Sequence, residues 1–353
     1  MIIKYFILTI LFLGVAIVLA FQAHALTISP VKMEISGDPG QTLQSELTLF
    51  NEQDETKTFY SSAENFEARG ETGAPFFLPE RVGLATWIKI EGQVTLKPKE
   101  EKTIPFSIGI PKNAEPGGHF AAILWGQTPT QATEGGQVAV GGRLGVLILL
   151  KVSGEVKEGG GLLEFGAGEK QKFFSSLPIT FAYRFNNTGG DRIVPIGEIK
   201  IKNTFGLTSA TLPANKKEGS VLPGSARKFE VIWKQTQKDT DIKPIDTKEE
   251  EELGFLEMAG RQWSEFHFGR YTAKMSLAWG AANQTATAKY SFFIIPWQLL
   301  LIIAIILAFI GFLGIWGLKK YNRWIIAQAR QPFDSAPLHE GRDSREQGKQ
   351  KNE

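Results

Sequence analysis

The sequence predicts an all-β ectodomain of two immunoglobulin-like β-sandwiches in tandem, followed by one transmembrane α-helix. Three observations support this fold class: apolar and polar residues alternate in short runs, Pro and Gly separate those runs, and an uncharged apolar run, 292–318, follows them. The length of 353 residues suits two domains. Each half of the β-rich region has about 130 residues, the size of one immunoglobulin-like sandwich.

Short strands are predicted throughout the region after Ala25. In the run 104–110, isoleucine and phenylalanine alternate with proline, serine and glycine, which produces one apolar face with a period of two. The runs 43–49 and 229–233 alternate in the same way. The run 144–150, LGVLILL, is apolar on both faces and too short to cross a membrane, so we predict a central strand of a packed sheet.

Three Pro–Gly pairs, each just before a predicted strand, are expected to mark turns. They are Pro39 and Gly40, Pro116 and Gly117, and Pro223 and Gly224. This order favours a type II turn, because proline presets φ at the second position and glycine accepts a positive φ at the third. The same device in both halves of the chain indicates similar folds.

His119 directly follows the second of these pairs and has two interpretations. It is either a base or ligand on a glycine-rich loop, or a residue at the start of a strand. Catalysis needs a nucleophile or a carboxylate held against the histidine, and no sequence signature nearby supplies one. We therefore interpret His119 as structural.

The N-terminus carries a predicted signal peptide over residues 1–25. One lysine precedes an apolar run from Tyr5 to Phe21, and Ala23 and Ala25 occupy the small-residue positions that signal peptidase reads. We expect cleavage after Ala25. The alternative is an uncleaved signal anchor, since 17 apolar residues are near the lower limit for a membrane span.

The run 292–318 is predicted to cross the membrane, because it is uncharged and longer than the ~20 residues that a span requires. Aromatic and basic residues near its ends are predicted to lie at the membrane interface. They are Trp297, Trp316, Lys319, Lys320 and Arg323. The positive-inside rule then predicts a single-pass protein of the cell membrane, with the N-terminal ectodomain outside and the C-terminus in the cytoplasm.

Changes in composition divide the chain into six predicted segments. They are the signal peptide 1–25, sandwich one 26–156, a Gly-rich linker 157–161, sandwich two 162–291 with a charged insertion 234–265, the transmembrane helix 292–318, and a basic, disordered cytoplasmic tail 319–353. The linker KEGGG predicts a flexible joint. The insertion is expected to be a solvated loop or a short exposed helix, and function tends to lie on such long loops.

Composition excludes several kinds of chemistry. The chain has no cysteine, which excludes disulfides, thiolate metal sites and a cysteine nucleophile, and its four histidines form no HxxxH or HxH pair. The glycine-rich runs 140–145 and 158–161 match neither of two common phosphate-binding patterns, GxxxxGK[ST] and GxGxxG at the start of a helix. The net charge of +2 predicts no nucleic-acid partner. We predict a protein that is not an enzyme and has no cofactor or metal.

The first half of the ectodomain resembles the WxL-interacting protein family. The segment ISPVKMEISGDPGQTLQSELTLFNE carries the resemblance through Ser29, Pro30, Pro39, Gly40 and Asn51, and IPKNAEPGGHFAAILW through Pro111, Ala114, Pro116 and Gly117. The match is strongest over 26–152. The resemblance implies a bacterial cell-surface protein with a peptidoglycan-binding first domain, a second immunoglobulin-like domain that binds a partner or host protein, and one C-terminal transmembrane helix.

The leading hypothesis is a membrane-anchored cell-surface protein that binds a cell-wall polymer (peptidoglycan), another surface protein, or both. Binding would use exposed strands or loops of the two sandwiches. The alternative is a membrane-tethered chaperone or assembly factor of the pilus-chaperone type, which also pairs two immunoglobulin-like domains. A hydrolase is a third alternative, because fold alone does not decide function. No individual ligand-binding residue is assigned from the sequence.

Overall fold

The computed structural model of the chain describes residues 26–78, 80–128, 142–168, 170–234 and 254–329. The predicted cleavage residues Ala23 and Ala25, most of the charged insertion and the tail beyond Ala329 lie outside the described residues. Within the described ranges the chain forms eighteen strands and three helices. The predicted fold class, an all-β ectodomain followed by one apolar helix, is confirmed.

The first sandwich contains ten described strands and one short helix. The strands are β1 (Leu26–Ser29), β2 (Lys32–Gly37), β3 (Thr42–Asn51), β4 (Lys57–Ala68), β5 (Pro75–Phe77), β6 (Ile88–Ile90), β7 (Gln93–Leu96), β8 (Glu101–Gly109), β9 (Gly117–Gly126) and β10 (Leu144–Val152). One sheet has the order β1-β3-β8-β6, and the other has the order β2-β10-β9-β4-β5, with β7 also paired with β4. The helix α1 (Leu84–Trp87) buries Leu84 and Ala85 in the same core.

The core of the first sandwich follows the alternation within its strands. In β8 the side chains of Ile104 and Phe106 are buried, whereas Pro105 between them is exposed. Strand β8 pairs with β3 in antiparallel register, which places Leu47 opposite Ile104. The two strands thus share one apolar face, as a period of two requires in a half-buried sheet.

Strands β9 and β10 are apolar on both faces. One face of β9, with Ile123 and Trp125, belongs to the sandwich core. The other face, with Ala122 and Leu124, belongs to a separate apolar cluster. Strand β10 pairs antiparallel with β9 and parallel with β2, so the central position predicted for 144–150 is confirmed.

The second sandwich contains eight described strands. They are β11 (Gly160–Ala167), β12 (Phe173–Phe174), β13 (Ile179–Asn187), β14 (Ile196–Lys202), β15 (Thr208–Pro213), β16 (Ala226–Trp233), β17 (Gly269–Trp279) and β18 (Gln284–Ile294). The sheet orders are β11-β13-β16 and β12-β18-β17-β14-β15. Aromatic side chains fill much of this core, and Phe181, Tyr183 and Phe185 of β13 are all buried there.

The Gly-rich linker is shorter than predicted. Strand β11 begins at Gly160, so the last two residues of the predicted linker 157–161 pair with Asn187 and Asn186. Glycine runs are typical of flexible joints. They can still pair with a neighbouring strand, because the hydrogen bonds of a β-ladder need only backbone N–H and C=O groups.

The helix of the predicted transmembrane segment 292–318 begins at Trp297, later than predicted. Strand β18 continues to Ile294, inside the predicted segment 292–318. Phe292 and Ile294 are buried in the second core. An unbroken apolar run does not reveal where a strand ends and a helix begins, because both structures accept the same residue types there.

Two helices form a separate structural unit. Helix α2 (Phe255–Ser264) lies in the predicted charged insertion, and helix α3 (Trp297–Ala329) contains most of the apolar run. Within this unit the Gln262 side-chain oxygen accepts a hydrogen bond from the Leu299 N–H at 3.0 Å. The rings of Phe255 and Trp297 lie 5.9 Å apart in an edge-to-face arrangement.

Helix α3 is the one described helix that is long and apolar enough to cross a membrane. Almost none of its apolar length is buried, in contrast to the core helix of a soluble protein. Its first hydrogen bond runs from the Leu300 N–H to the Pro296 carbonyl at 3.0 Å. The helix continues to Ala329, so the start of the predicted disordered tail 319–353 is helical, since the residues there favour helix and include no glycine or proline before 330.

Candidate binding cleft between the sandwiches

The second apolar face of β9 and β10 packs against the second sandwich. Its buried members are Ala122, Leu124 and Leu149. Phe66 of β4 is buried in the same cluster, and Leu222 of the second sandwich packs against it. We call these five residues the outer cluster. The contact explains why two strands of the first sandwich are apolar on both sides, since each face buries its side chains against a different partner.

An ion pair joins the sandwiches beside the outer cluster. Glu71 lies between β4 and β5, and Nε of Arg184, on β13, is 2.9 and 3.0 Å from its two carboxylate oxygens. The Glu71 carbonyl accepts a hydrogen bond from the Lys228 N–H of β16 at 2.8 Å. The hydrogen bond from Arg184 is the main reason that the pKa of Glu71 lies below its ordinary value of 4.5.

A second group of polar contacts joins the sandwiches near the start of β9. They are Arg192 Nη2 to Glu34 Oε2 at 2.6 Å, Lys151 Nζ to Asp191 Oδ2 at 3.1 Å, and the Gly118 N–H to the Gly190 carbonyl at 2.9 Å. Hydrogen bonding to Lys32 is the largest influence that lowers the pKa of Glu34, and Arg192 contributes as well. The two sandwiches are therefore held together by polar contacts at two separate places.

A cavity of about 160 Å³ lies between the sandwiches at the outer cluster. We call it the inter-sandwich cleft. Its apolar lining includes Phe66, Leu149 and Leu222, and its charged lining residues are Lys32, Lys217, Glu218 and Arg227. An apolar wall with a few convergent polar groups is the usual composition of a binding site.

Arg227, on β16, is the one charged residue of the lining that is not exposed. Its Nη1 donates a hydrogen bond to the Ser220 carbonyl at 2.8 Å, and its guanidinium carbon lies 5.1 Å from the centre of the Phe229 ring. Its Nε is buried without a hydrogen-bond partner among the described residues. Burial lowers the pKa of Arg227, and no described carboxylate offsets that effect.

Two glycines make room for this guanidinium. A Cβ at Gly73 would overlap it, and a Cβ at Gly219 would lie 3.0 Å from the Arg227 guanidinium carbon. Gly73 belongs to the first sandwich and has a φ of 77°, which residues with a side chain rarely adopt. Arg227 is thus enclosed by backbone from both sandwiches.

This arrangement is suited to binding an anion. A partly dehydrated guanidinium with an unused N–H donor is unfavourable unless a partner supplies charge and acceptor oxygens. A carboxylate supplies both, and its two oxygens match the fork of donors on arginine. The apolar lining nearby suits a hydrophobic group attached to that carboxylate.

Two of the three predicted Pro–Gly turns have the expected form. Gly40 and Gly224 have φ values of 85° and 68°. Hydrogen bonds of 3.0 and 3.2 Å from Gln41 and Ser225 close the two turns. The turn at Pro223 and Gly224 follows Leu222 of the outer cluster, so one sequence marker lies beside the cleft.

The pair Pro116 and Gly117 does not form the predicted type II turn. Gly117 has a φ of 122°, and the next N–H, of Gly118, donates to the Gly190 carbonyl of the second sandwich. A Cβ at Gly117 would overlap that carbonyl. The prediction is wrong because a local dipeptide pattern does not reveal backbone that approaches from another domain.

His119 has a structural environment in β9. Its ring centre lies 4.8 Å from that of Trp87, and its Nε2 is 2.8 Å from the Glu115 carbonyl oxygen. These contacts agree with the structural interpretation of this histidine.

The predicted membrane-interface residues all lie on α3, and none lines the cleft. The side chains of Trp297, Trp316, Lys319, Lys320 and Arg323 are exposed. Lys320 Nζ lies 5.3 Å from the centre of the Trp316 ring. Helical geometry separates the two tryptophans by roughly 28 Å along the axis, close to the thickness of the hydrocarbon layer.

Sequence reasoning missed the residues of the cleft. Arg227 shares the inward face of β16 with Phe229 and Trp233, which are buried. The sequence could have indicated Arg227, because it alternates along β16 on the same face as the buried aromatic residues. An isolated charge is rarely placed on the apolar face of a strand. Glu71 and Gly73 lie in a loop whose sequence carries no comparable signal.

No protein-family model matches the chain, and no curated protein matches it. Several solved structures of fimbrial chaperones are similar. The class 5 fimbriae chaperone CfaA has 11% identity and a TM-score of 0.34, over 75% of this chain and 99% of that chain. The CsuC–CsuE chaperone–tip adhesion subunit complex of Acinetobacter baumannii has 11% identity and a TM-score of 0.34, over 75% and 98%. The E. coli chaperone DraB has 9% identity and a TM-score of 0.32, over 76% and 97%.

Proposed function

We propose that the protein is a single-pass membrane protein that is not an enzyme and whose ectodomain binds a protein partner. The long, unburied apolar surface of α3 supports the membrane anchor. Lys319, Lys320 and Arg323 follow the apolar run, and the positive-inside rule then assigns the C-terminus to the cytoplasm. The sandwiches lie outside, which agrees with a signal peptide at 1–25.

The observation that carries the binding function is Arg227, enclosed in the inter-sandwich cleft without a described acidic partner. The partner places a carboxylate against this guanidinium and an apolar side chain against Leu149 and Leu222. The charge-assisted hydrogen bonds give orientation, and burial of the apolar side chain adds affinity. Peptidoglycan, which the sequence resemblance suggests, is the competing ligand.

The test presents the full-length protein, in lipid nanodiscs, to apolar peptides that contain one glutamate and to matched peptides with glutamine. We expect the glutamate peptides to bind more tightly. Arg227→Met should abolish that preference, a loss of roughly 10- to 100-fold if a charge-assisted hydrogen bond is removed. Arg227→Lys should keep part of it, because lysine retains the charge and loses the fork.

Lys289→Met is the control, since Lys289 is exposed on β18 and does not line the cleft. It should leave both peptide affinities unchanged. Equal binding of glutamate and glutamine peptides to the unaltered protein would contradict the proposal. Retention of isolated cell wall that disappears in Arg227→Met would assign the cleft to the polymer.

The assembly-factor alternative rests on a different feature, the edge of β10. Strand β2 pairs with β10 over Leu147–Val152 only, so Leu144–Val146 have β9 on one side and no described strand on the other. A client strand could add to this edge. An assembly factor should raise the yield of an unstable client in co-expression. Arg227→Met should leave that yield unchanged, which separates the two functions.

Kinship with the WxL-interacting proteins is part of the proposal. Asn51, one of the residues that carry the resemblance, is buried at the end of β3, and its Nδ2 donates to the carbonyls of Glu55 and Lys97, both at 2.9 Å. The sequence pattern therefore has a structural basis in the first sandwich. Binding of secreted proteins that carry Trp-x-Leu motifs tests the kinship, and no binding of any such protein would count against it.

A further inference from the structure

One end of the second sandwich exposes a row of large apolar side chains. Phe173, Phe205, Leu207, Phe268 and Phe293 are exposed by 60, 86, 66, 56 and 38%. We call these five residues the apolar rim. Large exposed apolar patches mark a contact with a partner or a membrane, because their exposure to water is unfavourable.

Strand pairing brings three rim residues to the same end of one sheet. Phe173 of β12 pairs with Phe293 of β18, and their rings stack with centres 5.6 Å apart. On the other side of β18, Ile294 pairs with Gly269 of β17, and Phe268 directly precedes that glycine. The rim thus includes the point at which the chain leaves the sandwich toward α3.

The other two rim residues, Phe205 and Leu207, lie in the turn between β14 and β15. The Thr204 hydroxyl fixes this turn to the start of β17. It donates to the Arg270 carbonyl at 2.9 Å and accepts from the Arg270 N–H at 3.0 Å. The tip of the turn is therefore held at the same end of the sheet as Phe268.

The charges around the rim are basic. Lys172, Lys202 and Arg270 are exposed at this end. The strand ends that form the rim, 172–174, 202–207, 268–272 and 291–295, contain no acidic residue. Aromatic residues with lysine and arginine are typical of surfaces that rest on anionic lipid headgroups.

The connection between β18 and α3 is short, so the end of β18 lies near the membrane if α3 spans it. Only Ile295 and Pro296 separate the end of β18 from Trp297, the first residue of α3. Three Cα–Cα steps cover at most about 11 Å. A tryptophan at the start of a spanning helix lies at headgroup level, so the end of β18 cannot be far from that level.

We propose that the apolar rim contacts the anionic lipid surface of the membrane that α3 crosses. Phe205 and Leu207 enter the interfacial layer, and Lys172, Lys202 and Arg270 face the lipid phosphates. This inference rests on the proposed membrane anchor. Its consequence is that the second sandwich is held on the bilayer by a protein–lipid contact in addition to its covalent connection.

The absence of cysteine from the chain allows a clean labelling experiment. Phe205→Cys carries an environment-sensitive fluorophore in the full-length protein, reconstituted into phosphatidylcholine vesicles that contain phosphatidylglycerol and spin-labelled lipids. Ala282→Cys is the matched control, because it lies in the β17–β18 turn at the opposite end of the same sandwich. Ile310→Cys reports on the middle of α3.

We expect the label at 205 to show blue-shifted emission and quenching by headgroup-proximal spin labels several-fold stronger than the label at 282. Quenching at 205 equal to that at 282 would overturn the inference. If the label at 310 is deeply quenched in that same sample, the anchor holds and only the lipid contact fails. If the label at 310 is not quenched, the membrane anchor itself fails.

A second variant tests the basic residues. Lys202→Gln with Arg270→Gln should reduce the quenching at 205 in vesicles with phosphatidylglycerol and leave it unchanged in vesicles of phosphatidylcholine alone. Lys289→Gln with Lys274→Gln, which removes two exposed charges from the middle of the same sheet, is the control. An equal effect of both pairs would contradict a specific role for the rim charges.

Discussion

At the scale of single residues, the missing side chain of Gly73 leaves the space that the Arg227 guanidinium occupies. We predict that Gly73→Ala displaces this guanidinium and weakens binding of glutamate peptides. Alanine should also destabilise the fold by about 1–2 kcal/mol, because the backbone there has a positive φ. Peptide titration and thermal unfolding measure the two effects.

Gly70→Ala is a close control for this variant. Gly70 lies in the same loop with a φ of 69°, but a Cβ there would meet no atom within 4 Å. It should show a similar loss of stability and no loss of binding. If both variants bind the glutamate peptides as the unaltered protein does, Gly73 does not position Arg227 for binding.

Asn51 and Asn187 have the same role in the two sandwiches. Each is buried at the end of a strand, and each side chain donates to backbone carbonyls of neighbouring segments. We predict that Asn51→Ala lowers the free energy of unfolding by about 1–3 kcal/mol, because buried carbonyls lose their donor. Chemical denaturation measures the change, and Asn113→Ala, at an exposed turn, should be nearly neutral.

At the scale of elements, the loop between β4 and β5 is held to β13 and β16 through Glu71. The pKa values of Glu71 and Glu34 are both below 4.5 in the folded protein. Their contribution to the contact is therefore complete above about pH 4.5 and is lost as the pH falls through the folded values. We predict that hydrogen-exchange protection of the Lys228 and Gly118 amides, corrected for the intrinsic rate, falls over this acidic range.

Glu71→Gln should remove most of the acid dependence at Lys228, because the neutral amide has no charge to lose. The dependence at Gly118 should persist, since Glu34 lies at the other contact. Glu67→Gln is the control, as Glu67 is an exposed residue of β4 whose side chain lies 4.0 Å from that of Arg69, in the same sandwich. A flat pH profile in the unaltered protein would contradict the prediction.

The elements themselves were largely predictable. Alternation in 104–110 and the two apolar faces of 144–150 follow directly from residue order, because side chains in a strand point to opposite faces in turn. What covers the second face of β10 was not predictable. Leu222 comes from another domain, and no local pattern connects it with Leu149.

At the scale of the whole molecule, α3 is proposed to anchor the ectodomain. We predict that Leu307→Lys with Ile310→Lys moves the protein out of the membrane fraction. A lysine at the centre of a span costs about 2.5–3.5 kcal/mol on insertion scales, so two should outweigh much of the apolar gain. Carbonate extraction followed by immunoblotting measures the distribution.

Gln328→Lys is the control for this variant, since it lies beyond the apolar run near the end of α3. It should remain in the membrane fraction. A double-lysine variant that still resists carbonate extraction would contradict the assignment of α3 as the anchor.

The second sandwich separates the two surfaces to which function is assigned. Strand β17 runs from Gly269, beside the apolar rim, to Trp279, and its length corresponds to roughly 35 Å. At the far end, the Ala281 N–H donates to Glu158, in the connection between the sandwiches, at 2.9 Å. The proposed lipid contact and the contact with Glu158 therefore lie at opposite ends of the second sandwich.

The sequence by itself determined the fold class, the strand periodicity and the apolar helix that follows the second sandwich. These properties depend on local patterns: apolar spacing, turn chemistry and the length of an uncharged run. Only the tertiary structure decided where β18 ends, that Gly117 lies against the Gly190 carbonyl, and that Arg227 lies in a cleft. Each of these depends on segments that are distant in the chain, because burial and electrostatic environment are set by which backbone and side chains meet in space.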